Sequence, residues 1–205
     1  METCSSLTFD ATIAIRHHLS CHPFDKMKLV QHLSIALFFT AGSYSLSAQE
    51  PAPLQTNQGK PIAQAHAHND YEHDRPLLDA LAAGFCSVEA DIYLIEGQLL
   101  VAHDRDKVQP ERTLQSLYLD PLKAIAARQK DAAVYPGADA PRFYLLIDLK
   151  SEAESTYAAL HDVLSGYKNL LTEFGKDGRI QYRAVTVIVS GNRPKATMAG
   201  QAVRY

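Results

Sequence analysis

The chain has 205 residues, of which 46% are hydrophobic and 21% charged, with a formal net charge of −3. That is the profile of a globular domain of ordinary size. With an acidic balance and no long basic run, it excludes the electrostatic footprint of a nucleic-acid binder, and no nucleic-acid partner is expected.

The N-terminus reads as a processing region. Lys26, Met27 and Lys28 precede an apolar stretch through Ile35, Leu37, Phe38 and Phe39, and small residues then lead to Ala48. This is the layout of a secretory signal peptide over residues 27–48. Its apolar core is too short and too interrupted for a spanning helix of roughly 20 residues. Residues 1–26 are read as an extension ahead of the true start at Met27, and 49–60 as a flexible leader. The protein is expected to be exported, to the periplasm or outside the cell, with no stable membrane span. Cys4 and Cys21 fall upstream of the cleavage point, which leaves Cys86 as a lone core thiol and no internal disulfide.

Residues 61–205 are expected to form the domain. An apolar run over 61–65 predicts the first strand. Asp74, Arg75 and Pro76 predict a helix start with Asp74 as cap and Pro76 in the first turn, and Gly84 predicts its stop. Residues 85–93 form a second strand, and Glu96-Gly97 a tight turn into a hairpin partner over 98–102. Thr113 caps a helix over 114–129. A loop over 131–141 leads to an apolar strand over 143–149. Tyr157, Leu160, Leu164, Tyr167, Leu171 and Phe174 recur at helical spacing, which predicts a helix over 152–174 with an interruption at Ser165-Gly166. A last buried strand covers 184–189.

Alternation of helices with near-continuous apolar strands predicts a parallel α/β architecture. The polar clusters fall at the C-terminal ends of the strands, where (β/α)8 barrels collect their active sites. A doubly wound sheet is the competing architecture, but no Gly-rich phosphate loop follows any strand. A TIM barrel takes about 250 residues, whereas four main strands are counted here, so the sequence is read as about the first half of a (β/α)8 barrel.

The chemistry-bearing residues repeat at period two, which places them on one strand face. His66 and His68 share a face, as do Glu89 and Asp91, and Asp148 and Lys150. Glu89, Asp91 and Asp148 are hard oxygen ligands that suit Mg2+ or Ca2+ better than Zn2+. His68 and His103 are candidate acid and base, because imidazole exchanges protons near neutral pH. Lys150, Asn69 and Arg75 are candidate phosphate contacts. His66, Asp70 and Asp104 are assigned supporting roles.

The run HAHNDYEHDRPLLDALAAGFCSVEADIYLIEGQLLVAHD resembles the phosphatidylinositol-specific phospholipase C/glycerophosphodiester phosphodiesterase superfamily. It is most similar to the branch with His-Asn-Asp-Tyr where glycerophosphodiesterases have His-Arg-Gly. The resemblance implies a PLC-like TIM barrel. It implies a divalent metal on the Glu-x-Asp pair Glu89 and Asp91, a second catalytic histidine at His103 beside Asp104, and a further ligand and a lysine at Asp148 and Lys150. It implies hydrolysis of a small-molecule or lipid-derived phosphodiester by a His68/His103 acid–base pair. Asn69 stands where that motif has arginine, which leaves phosphate contact there open. The alternative enzyme reading is a Zn-dependent amidohydrolase-like protein with His66 and His68 as ligands. The non-enzymatic alternative is a binding module or inactive fragment.

Overall fold

A computed structural model describes residues 58–129, 131–137 and 139–205 of the chain. The signal-like segment and the extension before it lie outside the described residues.

Four parallel strands build the main sheet: β1 (Ile62–Ala67), β2 (Phe85–Ile95), β4 (Phe143–Leu149) and β7 (Val185–Gly191). They stand in the order β1-β2-β4-β7, with β3 (Gln98–Val101) pairing only with β2. Each parallel strand therefore lies beside the next one in the chain. A doubly wound sheet would reverse direction at a switch point; this one winds steadily and curls as a parallel half-barrel.

Strand β2 is long enough to serve two neighbours on one edge. Its first half pairs with β1 through Ile62↔Phe85 and Ala67↔Val88. Its second half pairs antiparallel with β3, from Ile92↔Val101 to Ile95↔Gln98. The hairpin turns at Glu96 (φ 49°) and Gly97 (φ 79°). Positive φ at both turn positions matches the right-handed twist of the flanking strands. The hairpin returns the chain to the top of the sheet and delivers His103 there.

Alternation along β4 separates the two sheet faces. Phe143, Leu145, Ile147 and Leu149 are buried, while Tyr144, Leu146 and Asp148 are half-buried on the concave side. The buried face meets α1 (Leu78–Ala83), α2 (Asp120–Ala126) and α3 (Ala153–Ser165) through Leu81, Leu122, Ile125, Leu160 and Leu164. Cys86 is fully buried among them, as its apolar neighbours predict.

Several elements differ from the sequence reading. The first helix begins at Leu78 rather than at the Asp74 cap. Residues 70–72 form a 3-10 turn first, and Leu77 adopts φ 64° with its N–H donated to Asp70 Oδ2. Thr113 does act as a cap, its Oγ1 accepting from the Ser116 N–H at 3.0 Å. The helix it starts is wide-wound over Gln115–Leu119 and regular only from Asp120 to Ala126. Pro121 explains the change of winding, because it has no N–H and its ring crowds the carbonyl four residues back.

The long helix expected to reach Phe174 stops at Gly166. Beyond it the backbone is claimed by the sheet: Thr172 N–H donates to Val185 O, and Val185 N–H to Leu170 O. Phe174 instead lies in β5 (Glu173–Gly175), which forms a second small sheet with β6 (Ile180–Gln181) and β8 (Val203–Arg204). A short helix α4 (Lys195–Gly200) connects β7 to β8. Residues 58–60, read as part of a flexible leader, are held in place: Gln58 Nε2 donates to Val134 O and Gly59 N–H to Leu81 O.

Candidate active site

The parallel register aligns the polar residues across the concave face. Asp91 stands opposite Asp148, and Asp148 opposite Ser190. One layer below, Glu89 stands opposite Leu146. His68 follows the last residue of β1, at the same level as Glu89.

Two imidazole–carboxylate contacts result. His68 Nε2 lies 3.3 Å from Glu89 Oε2, and His103 Nδ1 lies 3.3 Å from Asp91 Oδ2. The Asn69 backbone N–H also donates to Glu89 Oε2 at 3.0 Å. Asn69 can turn that N–H inward because it sits in the left-handed region at φ 52°, which asparagine tolerates better than most residues.

Lys150 bridges the two aspartates. Its Nζ lies 3.0 Å from Asp91 Oδ2 and 2.5 Å from Asp148 Oδ2. Burial alone would lower the pKa of this ammonium, but the hydrogen bonds to Asp148 and Asp91 outweigh it and push the pKa well above the ordinary lysine value. Ser190 Oγ donates to Asp148 Oδ1 at 2.8 Å.

Tyr71 supplies a hub absent from the sequence reading. Its hydroxyl lies 2.8 Å from Asp91 Oδ2, 2.9 Å from Asn69 Oδ1 and 3.2 Å from His103 Nδ1. Burial, and then the neighbouring Asp91, raise the pKa of this phenol well above its usual value, so it stays protonated. Nothing in the hydropathy pattern marks Tyr71; the one available signal was its place inside the His-Asn-Asp-Tyr run. Ser190 was equally unmarked, as the penultimate residue of an apolar strand.

The expected supporting residues fare differently. His66 points to Ser87, Nδ1 to Oγ 2.8 Å. His66 and His68 are thus held by different partners, one layer apart. Asp70 is fully buried and accepts from the Leu77 N–H at 2.6 Å and from Tyr118 OH at 2.9 Å, so it secures the loop that carries His68, Asn69 and Tyr71. Asp104 pairs with Lys107 at 2.8 Å on the surface. Arg75 is not brought into the cluster, because its guanidinium is committed to Asp79 at 2.6 Å. Beside His103 opens a cleft of about 340 Å³, lined chiefly by polar side chains that include His73, Lys107, Gln109 and Arg112.

The donor chemistry fits a hard divalent cation. Glu89, Asp91 and Asp148 are all carboxylates, and Asp91 Oδ1 is buried with no hydrogen-bond partner among the described residues. In the present arrangement no three His, Cys, Asp or Glu side chains among the described residues converge as a ligand set. The Lys150 ammonium supplies the positive charge between Asp91 and Asp148.

Fold and site together define an α/β protein with histidines and carboxylates gathered at the C-terminal ends of successive parallel strands. The AIM6-like phosphodiesterase domain family matches residues 56–204, and the chain belongs to that family. It is 29% identical over 170 residues to the altered inheritance of mitochondria protein 6 homolog of Arthroderma benhamiae, covering 74% of this chain and 54% of that protein. It is 34% identical over 147 residues to altered inheritance of mitochondria protein 6 of Eremothecium gossypii, covering 65% and 38% respectively. The Saccharomyces cerevisiae S288c protein of the same name is 36% identical over 148 residues, covering 63% and 37%. The chain thus spans from about a third to about half of the length of these curated relatives. No solved structure matches.

Proposed function

We propose that this domain carries the catalytic strand ends of a metal-dependent phosphodiester hydrolase of the PLC-like/glycerophosphodiesterase type, in its His-Asn-Asp-Tyr branch. The substrate would be a glycerophosphodiester or a phospholipid-type diester. One observation carries the reading: two histidines each lie 3.3 Å from a carboxylate of the same strand, on the same face. The family's phosphodiesterase designation supports it.

Glu89, Asp91 and Asp148 would hold a Mg2+ or Ca2+ ion, with Asp91 offering its unpartnered Oδ1. Such an ion supplies Lewis-acid polarisation of a phosphoryl oxygen. The remaining roles belong to side chains. Of His68 and His103, one takes the proton from the attacking hydroxyl and the other protonates the leaving alkoxide. Lys150 offers a point charge to a phosphate oxygen, and Asn69 an amide beside it. Neither histidine is enclosed, with His68 73% and His103 47% exposed, so substrate reaches both. The signal-like segment at 27–48 supports export of the protein.

The test is hydrolysis of bis(p-nitrophenyl) phosphate and of glycerophosphodiesters by the full chain with Mg2+ or Ca2+. His103→Ala and Glu89→Ala should each abolish turnover, while His161→Ala, remote from the cluster, should not. Wild-type turnover in the Glu89 variant would overturn the metal assignment, and in the His103 variant the acid–base assignment.

A further inference from the structure

We propose that Tyr71 is the positioning residue for His103: its hydroxyl ties the imidazole Nδ1 to Asp91 and leaves Nε2 as the nitrogen that exchanges protons. The inference deepens the reading above and rests on it for the role of His103. The contact itself stands on geometry alone.

The argument is a proton count. The Tyr71 hydroxyl has one hydrogen and three partners, at Asp91 Oδ2, Asn69 Oδ1 and His103 Nδ1. The shortest contact, 2.8 Å, is to a carboxylate, and charge-assisted hydrogen bonds are the stronger ones. The hydrogen therefore goes to Asp91, and the phenolic oxygen faces His103 as an acceptor. Nδ1 also faces Asp91 Oδ2 at 3.3 Å, an atom with no hydrogen to offer. Both of its neighbours are acceptors, so Nδ1 carries the hydrogen. In the neutral ring the lone pair is then on Nε2.

Tyr71 is held rigidly enough for this task. Its ring is buried, 3% exposed. The Arg112 guanidinium donates to its backbone carbonyl. Its 3-10 turn is closed by Glu72 N–H to Asn69 O and His73 N–H to Asp70 O. Asp91 Oδ2 thereby receives Tyr71, Lys150 and His103 together, while Oδ1 has no partner among the described residues. The same arrangement that orients the histidine sorts the two oxygens of Asp91.

The experiment uses the full chain labelled with 15N-histidine, with His103→Gln to assign the ring signals. Wild-type His103 is expected to show a protonated Nδ1 and an unprotonated Nε2. Tyr71→Phe, which keeps the buried ring, should shift both signals towards a mixture of tautomers. Its kcat should fall about tenfold or more, a fraction of the 10²–10⁴ that general acid–base catalysis supplies, with KM little changed. A purely structural role would lower the melting temperature and leave the tautomer alone. A wild-type spectrum with the hydrogen on Nε2 overturns the proposal without any variant, as does a Tyr71→Phe protein with wild-type shifts and kcat. If His103→Ala hydrolyses substrate as fast as wild type, the acid–base assignment of His103 fails instead, and the nitrogen shifts still decide whether Tyr71 orients the ring.

Discussion

Asp70 accepts the backbone N–H of Leu77 at 2.6 Å, across the loop that joins β1 to α1. The same oxygen accepts from Tyr118 OH, while Oδ1 is buried without a partner among the described residues. Burial raises the pKa of this carboxyl above the ordinary aspartate value of 3.8, against the lowering effect of the Leu77 and Tyr118 hydrogen bonds. Asp70→Ala strands the buried Leu77 N–H and leaves the Tyr118 hydroxyl with the longer contact to Glu89 O at 3.3 Å, so a net loss on the order of 1–3 kcal/mol in urea unfolding is expected. Tyr118→Phe should cost about 1 kcal/mol. The sign of the pH dependence follows from the raised value. The native state binds the Asp70 proton more tightly than the unfolded chain. Its contribution is therefore full below 3.8 and is lost as pH rises through the native value. Asp70→Asn does not titrate, so wild type should gain on it as pH falls from about 7 to about 4. A pH-independent difference would contradict the assignment.

Lys150 lies against Asp91, which is 1% exposed, and is itself 28% exposed. Removing one partner of a fully buried pair costs about 3–5 kcal/mol. With the lysine partly solvated, Lys150→Met should cost less, on the order of 2 kcal/mol. What remains is two carboxylates facing each other across β2 and β4. Mg2+ or Ca2+ should then raise the melting temperature of the variant more than that of wild type, since no ammonium competes for the site. Equal shifts, or none, would show that the two aspartates do not hold a cation.

The main sheet was legible in the sequence because its strands are long and apolar. The period-two pattern also paired Glu89 with Asp91 and Asp148 with Lys150; the register of β2 and β4 sets Asp91 opposite Asp148, and Lys150, just past β4, reaches both aspartates. The Glu96-Gly97 turn was legible from local chemistry alone. What could not be read depends on partners distant in sequence. Asp74 has the composition of a cap, but Asp70 and Tyr118 delay the helix to Leu78. Leu171 and Phe174 continue a helical spacing, yet Val185 pairs with the backbone at 170–172. Arg75 was read as a phosphate contact near a loop end, but the helix that follows supplies Asp79 as its partner. Tyr71 becomes conspicuous only when β1, β2 and the chain after β3 meet around its hydroxyl.

Gly191 ends β7 at φ 67°, and a Cβ there would lie 2.3 Å from Asp148 Oδ1 and 2.5 Å from Leu149 O. The backbone oxygen cannot move aside without disturbing β4. Gly191→Ala combines that clash with the left-handed penalty of about 1–2 kcal/mol. A total loss of roughly 2–4 kcal/mol is expected, with Asp148 displaced from Ser190. The denaturation midpoint reads the first effect. The second should appear as weaker Mg2+ or Ca2+ binding by calorimetry, and unchanged metal affinity would detach Asp148 from the cation site.

Glu152 caps α3 immediately after the Lys150-Ser151 segment. Its carboxylate accepts from the Ser155 N–H at 2.8 Å, the Ser155 hydroxyl at 2.7 Å and the Glu154 N–H at 3.0 Å. The Ser155 backbone hydrogen bond, followed by its hydroxyl and the Glu154 N–H, lowers the pKa from the ordinary 4.5 to about 2. The cap matters to the site because Ser151 is itself a junction: Leu94 N–H donates to its Oγ and Asn192 Nδ2 to its carbonyl. With the native pKa depressed, the stabilising contribution is present above 4.5 and is lost as pH falls towards about 2. Glu152→Gln keeps the acceptor oxygen but not the charge that favours a helix N-terminus. Its melting temperature should lie below that of wild type at neutral pH and converge with it on acidification. Parallel curves over that range would mean that the charge on Glu152 contributes nothing to the helix start that follows Lys150.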